Sequence, residues 1–198
     1  MQEIAPGLWH WTRRHPHIGV DVSSYYLARE RVLVDPLIPE EGIEWLEKQG
    51  PPEHILLSNR HHDRDSWKIR EAFGSTVHCV RNGIHELEGR GPVEPFDFGD
   101  ELPGNATAYE IDAICPDETA LHLPEHRALV CADGVVHYGE ALGFVPEQYM
   151  EDPETTKSRL REAYRGVLHL DFDVLLPAHG TPLAGGAKEA LSRFAGSE

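Results

Sequence analysis

The chain has 198 residues and a hydrophobic share of 40%, which suits one domain with a full apolar core and is short for two. A net charge of −16 excludes a nucleic-acid face or an anionic membrane surface, and no apolar run approaches the roughly 20 residues of a membrane span. Met1-Gln2-Glu3-Ile4-Ala5-Pro6 lacks the pattern of an export signal, and the widely spaced Cys79, Cys115 and Cys131 suit free thiols, so a cytoplasmic protein is expected.

Residues 4–11 and 22–35 read as strands, the second a hairpin around the charged turn Arg29-Glu30-Arg31. Between them Arg13-Arg14-His15-Pro16-His17-Ile18-Gly19 is a loop by its Pro and Gly. Pro39 starts a helix through Lys48, with Ile43, Trp45 and Leu46 on one apolar face. A strand at 54–58 runs into the polar stretch 59–65, and a helix over 65–73 ends at Gly74. Strand 76–80 and a short helix near 84–88 follow, then a turn at 99–102 into strand 106–111. Segments 120–123 and 128–131 pair, and Asp133-Gly134 closes the second of them. The clearest helix spans 153–168, with Pro153 at its start and Leu160, Tyr164, Val167 and Leu168 inward. Strand 174–180 ends in His179-Gly180, and a helix over 186–195 closes the chain. Strands followed by a helix, twice over, predict an α/β (α+β) chain with two sheets sandwiched between helices.

A buried strand that delivers polar side chains at its C-terminal end is a common way to build a site. Leu57-Ser58-Asn59-x-His61-x-Asp63-Arg64 resembles the signature of the metallo-β-lactamase superfamily, a strand followed by (T/S)-H-x-H-x-D-H. Ser58, His61 and Asp63 fix the register, while Asn59 and Arg64 depart from it. Val32-Leu33-Val34-Asp35 resembles the family's early strand ending in a structural Asp. Ala113-Ile114-Cys115-Pro116-Asp117-Glu118-Thr119-Ala120 resembles its G-H-(T/S)-P-G-x-T-A segment, with Ile114 in place of the His. Val130-Cys131-Ala132-Asp133-Gly134 and Leu175-Leu176-Pro177-Ala178-His179-Gly180 resemble its strand-G-D and strand-P-x-H-G motifs. The resemblance implies a four-layer αββα sandwich and a single domain over 1–198.

In a complete site of that family, His and Asp side chains hold two metal ions that share a hydroxide, which suits hydrolysis. Carried across position by position, the resemblance assigns His61, Asp63, Asp133 and His179 as metal ligands, and leaves no imidazole at Asn59, Arg64 or Ile114. It implies one Zn, Fe or Mn ion, or none. A guanidinium cannot ligate a metal. At about 4 Å from a divalent ion it would repel it by roughly 8 kcal/mol at an effective dielectric of about 20. Arg64 is therefore expected to take the place of the second ion, with Asp63 and Asp133 as its salt-bridge partners. In the catalytic reading Asp63 orients a water, Asp133 bridges, and Arg64 meets the developing negative charge.

His15 and His17, on a loop that overhangs the site in the family, and Cys115, beside the lost ligand, are the candidates to replace a missing donor. A solvated loop and a buried free thiol are their plainer readings. Asp35 is expected to hold the motif loop by hydrogen bonds. His62 is expected to point away from His61 and Asp63, because adjacent extended residues face opposite sides. The function this implies is a metal-dependent hydrolase of a small ester, thioester, lactone or phosphoester, with at most one ion. The alternative is a metal-free protein that binds a small anion through Arg64 and Arg60, and a third is an interaction protein with a vestigial cleft. The expected partner is an anionic small molecule, with no nucleic acid and no membrane.

Overall fold

Where apolar residues recur at alternate positions, strands form whose two faces meet different layers. The computed structural model describes residues 1–196, so positions 197 and 198 of the expected 1–198 domain lie outside the described residues. One sheet contains β1 (Gln2–Ala5), β2 (Leu8–Arg14), β3 (Asp21–Leu27), β4 (Val32–Val34), β5 (His54–Leu56), β6 (Thr76–Val80) and β7 (Val93–Phe96), side by side in chain order. The first four pair antiparallel, and β4 to β7 pair parallel. Helices α1 (Ile43–Gln49) and α2 (Ser66–Phe73) lie in the crossovers that parallel pairing requires. The other sheet holds β8 (Glu101–Leu102), β9 (Ala106–Glu110), β10 (Thr119–Leu123), β11 (Ala128–His137) and β12 (Gly143–Phe144). Helix α3 (Pro153–Gly166) leads to β13 (Val174–Gly180), which joins this sheet parallel to β11, and α4 (Ala187–Phe194) follows.

Alternation sorts each strand between layers. Leu27, Val34 and Leu56 point into the space between the sheets, where Leu121, Val130 and Leu176 meet them. Their chain neighbours Tyr26, Leu33 and Ile55 point out and pack with Leu46 of α1 and Ile69 of α2. On the far side Leu129 and Leu175 pack with Leu160 and Tyr164 of α3 and Leu191 of α4. Strands buried on both faces are apolar nearly throughout, and that continuity makes them legible. The result is the αββα sandwich the patterns predict. Two side chains pin the sheets together at one end: Tyr25 Oη donates to the Pro177 carbonyl at 2.7 Å, and Ser23 Oγ to the Gly180 carbonyl at 2.9 Å.

Several boundaries differ from expectation. Gly7, at φ 79°, breaks the expected strand 4–11 into β1 and β2. The first helix begins at Ile43, because Pro39–Gly42 closes a turn with Gly42 at φ 85°. Strand β11 does not stop at Asp133-Gly134 but continues to His137. Strands β7 and β12 have no counterpart in the sequence reading; β7 contains Pro95, and β12 has two residues. Among the described residues no helix is long and apolar enough to cross a membrane.

Candidate metal centre

The site lies where β5, β11 and β13 end or bend, and the chain after β5 decides which residues reach it. Asn59 is extended, at φ −160°, and its Oδ1 accepts from the His61 amide at 2.9 Å. That cap opens a single 3₁₀ turn, Arg60–His62. In an extended chain positions 59, 61 and 63 would share a face, but with three residues per turn it is 59 and 62 that align. Both of these reach Asp133 of β11. Asn59 Nδ2 donates to Asp133 Oδ2 at 2.9 Å, and His62 Nε2 lies 3.1 Å from Asp133 Oδ1. From β13, His179 Nε2 lies 3.0 Å from the same oxygen. His62, Asp133 and His179 thus form the one cluster of three or more candidate metal donors among the described residues, with ligand atoms all within 4.8 Å.

The expected ligand set is corrected on this geometry. Asp133 and His179 come together as the resemblance implies, but His61 is exposed and outside the cluster, and the inward histidine is His62. Asp63 is buried and turned to other partners. Its Oδ2 accepts from Trp67 Nε1 at 2.8 Å and pairs with Arg90, and its Oδ1 accepts from the Arg64 amide at 3.0 Å. Arg64 does not pair with Asp63 or Asp133. Its Nη1 donates to the carbonyls of Ser23 and Asp35, each at 2.6 Å, while Nη2 is buried with no hydrogen-bond partner among the described residues. Arg60, the other expected anion contact, is held by Asp117 and Glu86. His15 and Cys115 line the cleft without joining the donor cluster, and His17 packs beside His15. Ile114 also lines the cleft and supplies no donor.

Asp35 takes the structural place expected of it. It sits at φ 48°, accepts from the Ser58 amide at 2.8 Å and the Ser58 hydroxyl at 2.6 Å, and reaches His62 Nδ1 at 2.9 Å. Burial alone would lower the His62 pKa, but Asp133 and then Asp35 outweigh it and hold the imidazole up at about 9. Burial would likewise raise both carboxyls. The facing His62 and the hydrogen bonds from His179 and His62 keep Asp133 well below the usual range, and His62 followed by Arg64 lowers Asp35. Glu118, which the sequence reading passed over, ties the surrounding loops: its carboxylate accepts from the amides of Ile114 at 2.8 Å and Gly134 at 2.7 Å. Burial pushes Glu118 up to about 7. A Cβ at Gly134 would lie 2.2 Å from Leu160 and 2.7 Å from Glu118, so the residue after Asp133 must be small.

These residues fit one ion. Two imidazoles and a carboxylate converge, and His62 has its second nitrogen on a carboxylate and a hydroxyl, the outer support that orients metal-binding histidines. His179 Nδ1, buried without a partner, is the incomplete part of that support. Among the described residues no second group of three donors gathers beside it: Asp63 is engaged by Trp67 and Arg90, and positions 59, 64 and 114 carry no imidazole.

Two facing sheets between helices, αββα, are the layers of the metallo-β-lactamase fold. No protein-family model matches the sequence, and no curated protein does. Solved structures do match. The DIM-1 metallo-beta-lactamase aligns at a TM-score of 0.73 and 14% identity, over 98% of this chain and 95% of that one. The flavodiiron protein from Giardia intestinalis aligns at 0.70 and 17%, over 98% of this chain, which spans only 58% of that protein. TTHA1623, crystallised in a di-iron-bound form, aligns at 0.59 and 20%, over 87% of each chain. The chain is a divergent bearer of this fold.

Proposed function

We propose that the protein is a metal-dependent hydrolase in which His62, Asp133 and His179 hold a single ion. The supporting observation is the convergence of these three side chains at the floor of a cleft of about 720 Å³. Two imidazoles and a carboxylate suit Zn, Fe or Mn, and a bound ion of this kind would supply Lewis acidity toward a carbonyl and a water. The chain's own contribution is positional and electrostatic. Asp35 and Ser58 fix the His62 ring, Asn59 fixes Asp133, and the Glu118 carboxylate anchors the backbone on either side. Arg64, clamped on two carbonyls, keeps a permanent positive charge in the cleft wall for an anionic group or a developing oxyanion.

The reaction proposed is hydrolysis of a small ester, thioester, lactone or phosphoester. The water oxygen bonds to the acyl carbon or phosphorus, the bond to the leaving group breaks, and the water proton ends on the leaving atom. Asp63, which lines the cleft with Oδ2 held by Trp67 and Arg90 and Oδ1 accepting only from the next amide, is the residue proposed to carry that proton through Oδ1.

Elemental analysis of protein purified without chelator or affinity nickel tests this reading. One ion per chain is expected in the native protein, with loss in His179→Ala. Native protein that is metal-free and has no affinity for Zn, Mn or Fe overturns it. The second reading, metal-free binding of a small anion, is supported by Arg64 Nη2, buried and unpartnered. It requires that phosphate or acetate raise the Tm of metal-stripped protein, and that Arg64→Ala abolish the rise.

A further inference from the structure

The cleft is not uniform along its depth. Its less exposed lining includes the polar His62, Asp133, His179 and Arg64, and its exposed lining sets the apolar Ile18, Tyr138 and Tyr149 beside the polar His61, Glu86, Arg90 and Gln148. Among the described residues the exposed large hydrophobic side chains are Met1, Ile18, Tyr138 and Tyr149, and the last three all line this one cleft. Single exposed apolar residues scattered over a surface carry no information, whereas three gathered at one opening mark a binding surface.

They also arrive from three different segments. Ile18 sits at the tip of the turn between β2 and β3, closed by the Gly19 amide on the His15 carbonyl at 2.9 Å. Tyr138 directly follows His137, whose Nδ1 lies 2.6 Å from the Thr181 carbonyl. Tyr149 ends the 3₁₀ turn Glu147–Tyr149, which a small cluster of Val136, Val145 and Met150 holds against the sheet. The side chains are 59%, 65% and 55% exposed, yet each stands on a fixed backbone. More than half of each remains exposed, and all three line the cleft that also holds the donor cluster.

We infer that the cleft takes an amphiphilic, acyl-type substrate, whose reacting carbonyl and negative charge lie at the less exposed polar lining while an alkyl or aryl portion lies against Ile18, Tyr138 and Tyr149. The charge assignment follows from Arg64, the cation whose Nη2 has no partner, whereas Arg60 and Arg90 are spent on Asp117, Glu86 and Asp63. The inference rests on the hydrolase reading for turnover, but not for binding. Hydrolysis of such an acyl compound by water releases a carboxylate and a protonated leaving group. The product carboxylate is therefore itself a ligand for both ends of the cleft.

The test uses the protein as purified and again after metal stripping, with the straight-chain carboxylates acetate, butyrate, hexanoate and octanoate, and affinity read by calorimetry. Affinity is expected to rise along the series by up to about fourfold per methylene buried. The rise should flatten in the triple variant Ile18→Ser, Tyr138→Ser, Tyr149→Ser, whose exposed positions leave the core intact. Octanamide should bind more weakly than octanoate. A flat series in the native protein, a series unchanged in the variant, or equal binding of the amide overturns the inference. Turnover of p-nitrophenyl acetate and octanoate separates the two readings. Binding that rises with length and no turnover of either ester sinks the hydrolase and leaves the amphiphile. Turnover of both esters with equal kcat/KM sinks the amphiphile and leaves the hydrolase.

Discussion

The two halves of the donor cluster reach it by different local geometry. Asp133 and His179 stand on β11 and β13, where alternation fixes which way each side chain points. His62 stands on a single 3₁₀ turn, where the period is three and the hydrogen bond that the His61 amide donates to Asn59 sets the phase. Residues carried on strands are therefore placed by the sheet, while a residue carried on the turn is placed by its cap. Matching motif letters selects Asp133 and His179, which the structure brings together, and selects His61 where the structure turns His62 inward.

The sharpest way to break this contrast is to exchange the two neighbouring histidines. His62→Ala should abolish stoichiometric metal binding, whereas His61→Ala should leave it unchanged, as read by elemental analysis; the reverse result would restore the extended register. Next in size is Gly180→Ala on the strand side. Gly180 sits at φ 100°, and a Cβ there would lie 2.1 Å from the His137 carbonyl oxygen. A loss of about 2–4 kcal/mol is expected in urea unfolding. On the turn side Asp35→Asn removes the charge that supports His62, and should weaken metal affinity by about 10- to 100-fold in a competition titration.

The pH dependence of metal-stripped protein sharpens the same point. His62 is held at about 9, above its ordinary 6.5, by Asp133 and Asp35 against the pull of burial. Between these values the folded state binds a proton that the unfolded state does not, so stability falls as pH rises. The contribution is complete below about 6.5 and lost through about 9. A Tm that declines across this window in native protein, and less steeply in His62→Gln, is the expected result. The smallest effect belongs to Arg90→Ala. Its partner Asp63 also holds Trp67, and the Arg90 side chain is 55% exposed, so no more than about 1 kcal/mol should be lost.

Much of the fold was legible because burial is written as composition. Ile55-Leu56-Leu57 and Val174-Leu175-Leu176 are apolar on both faces, and Gly74 ends α2 in the left-handed conformation that glycine favours. Asp133, His179 and the holding role of Asp35 were carried over by the motif resemblance, each at a residue that ends or interrupts such a run. Partners across long loops could not. Asp63 finds Arg90 and Arg60 finds Asp117, separated by 27 and 57 residues, and no periodicity records those pairings. Because of them, Arg64 is paired with carbonyl oxygens where carboxylates were expected. Short edges were equally silent: β12 has two residues, and Pro95 disguises β7.

Asn59 has a consequence for nuclearity. Its carboxamide occupies Oδ2 of Asp133 from within the protein, while both imidazoles gather at Oδ1. A carboxylate that straddles a pair of cations with one oxygen on each needs both oxygens free, and here the second is capped by an internal donor. In the proposed centre the amide would thus act as a stopper, turning a two-sided ligand into a one-sided one from a position that the proposed donor set does not include.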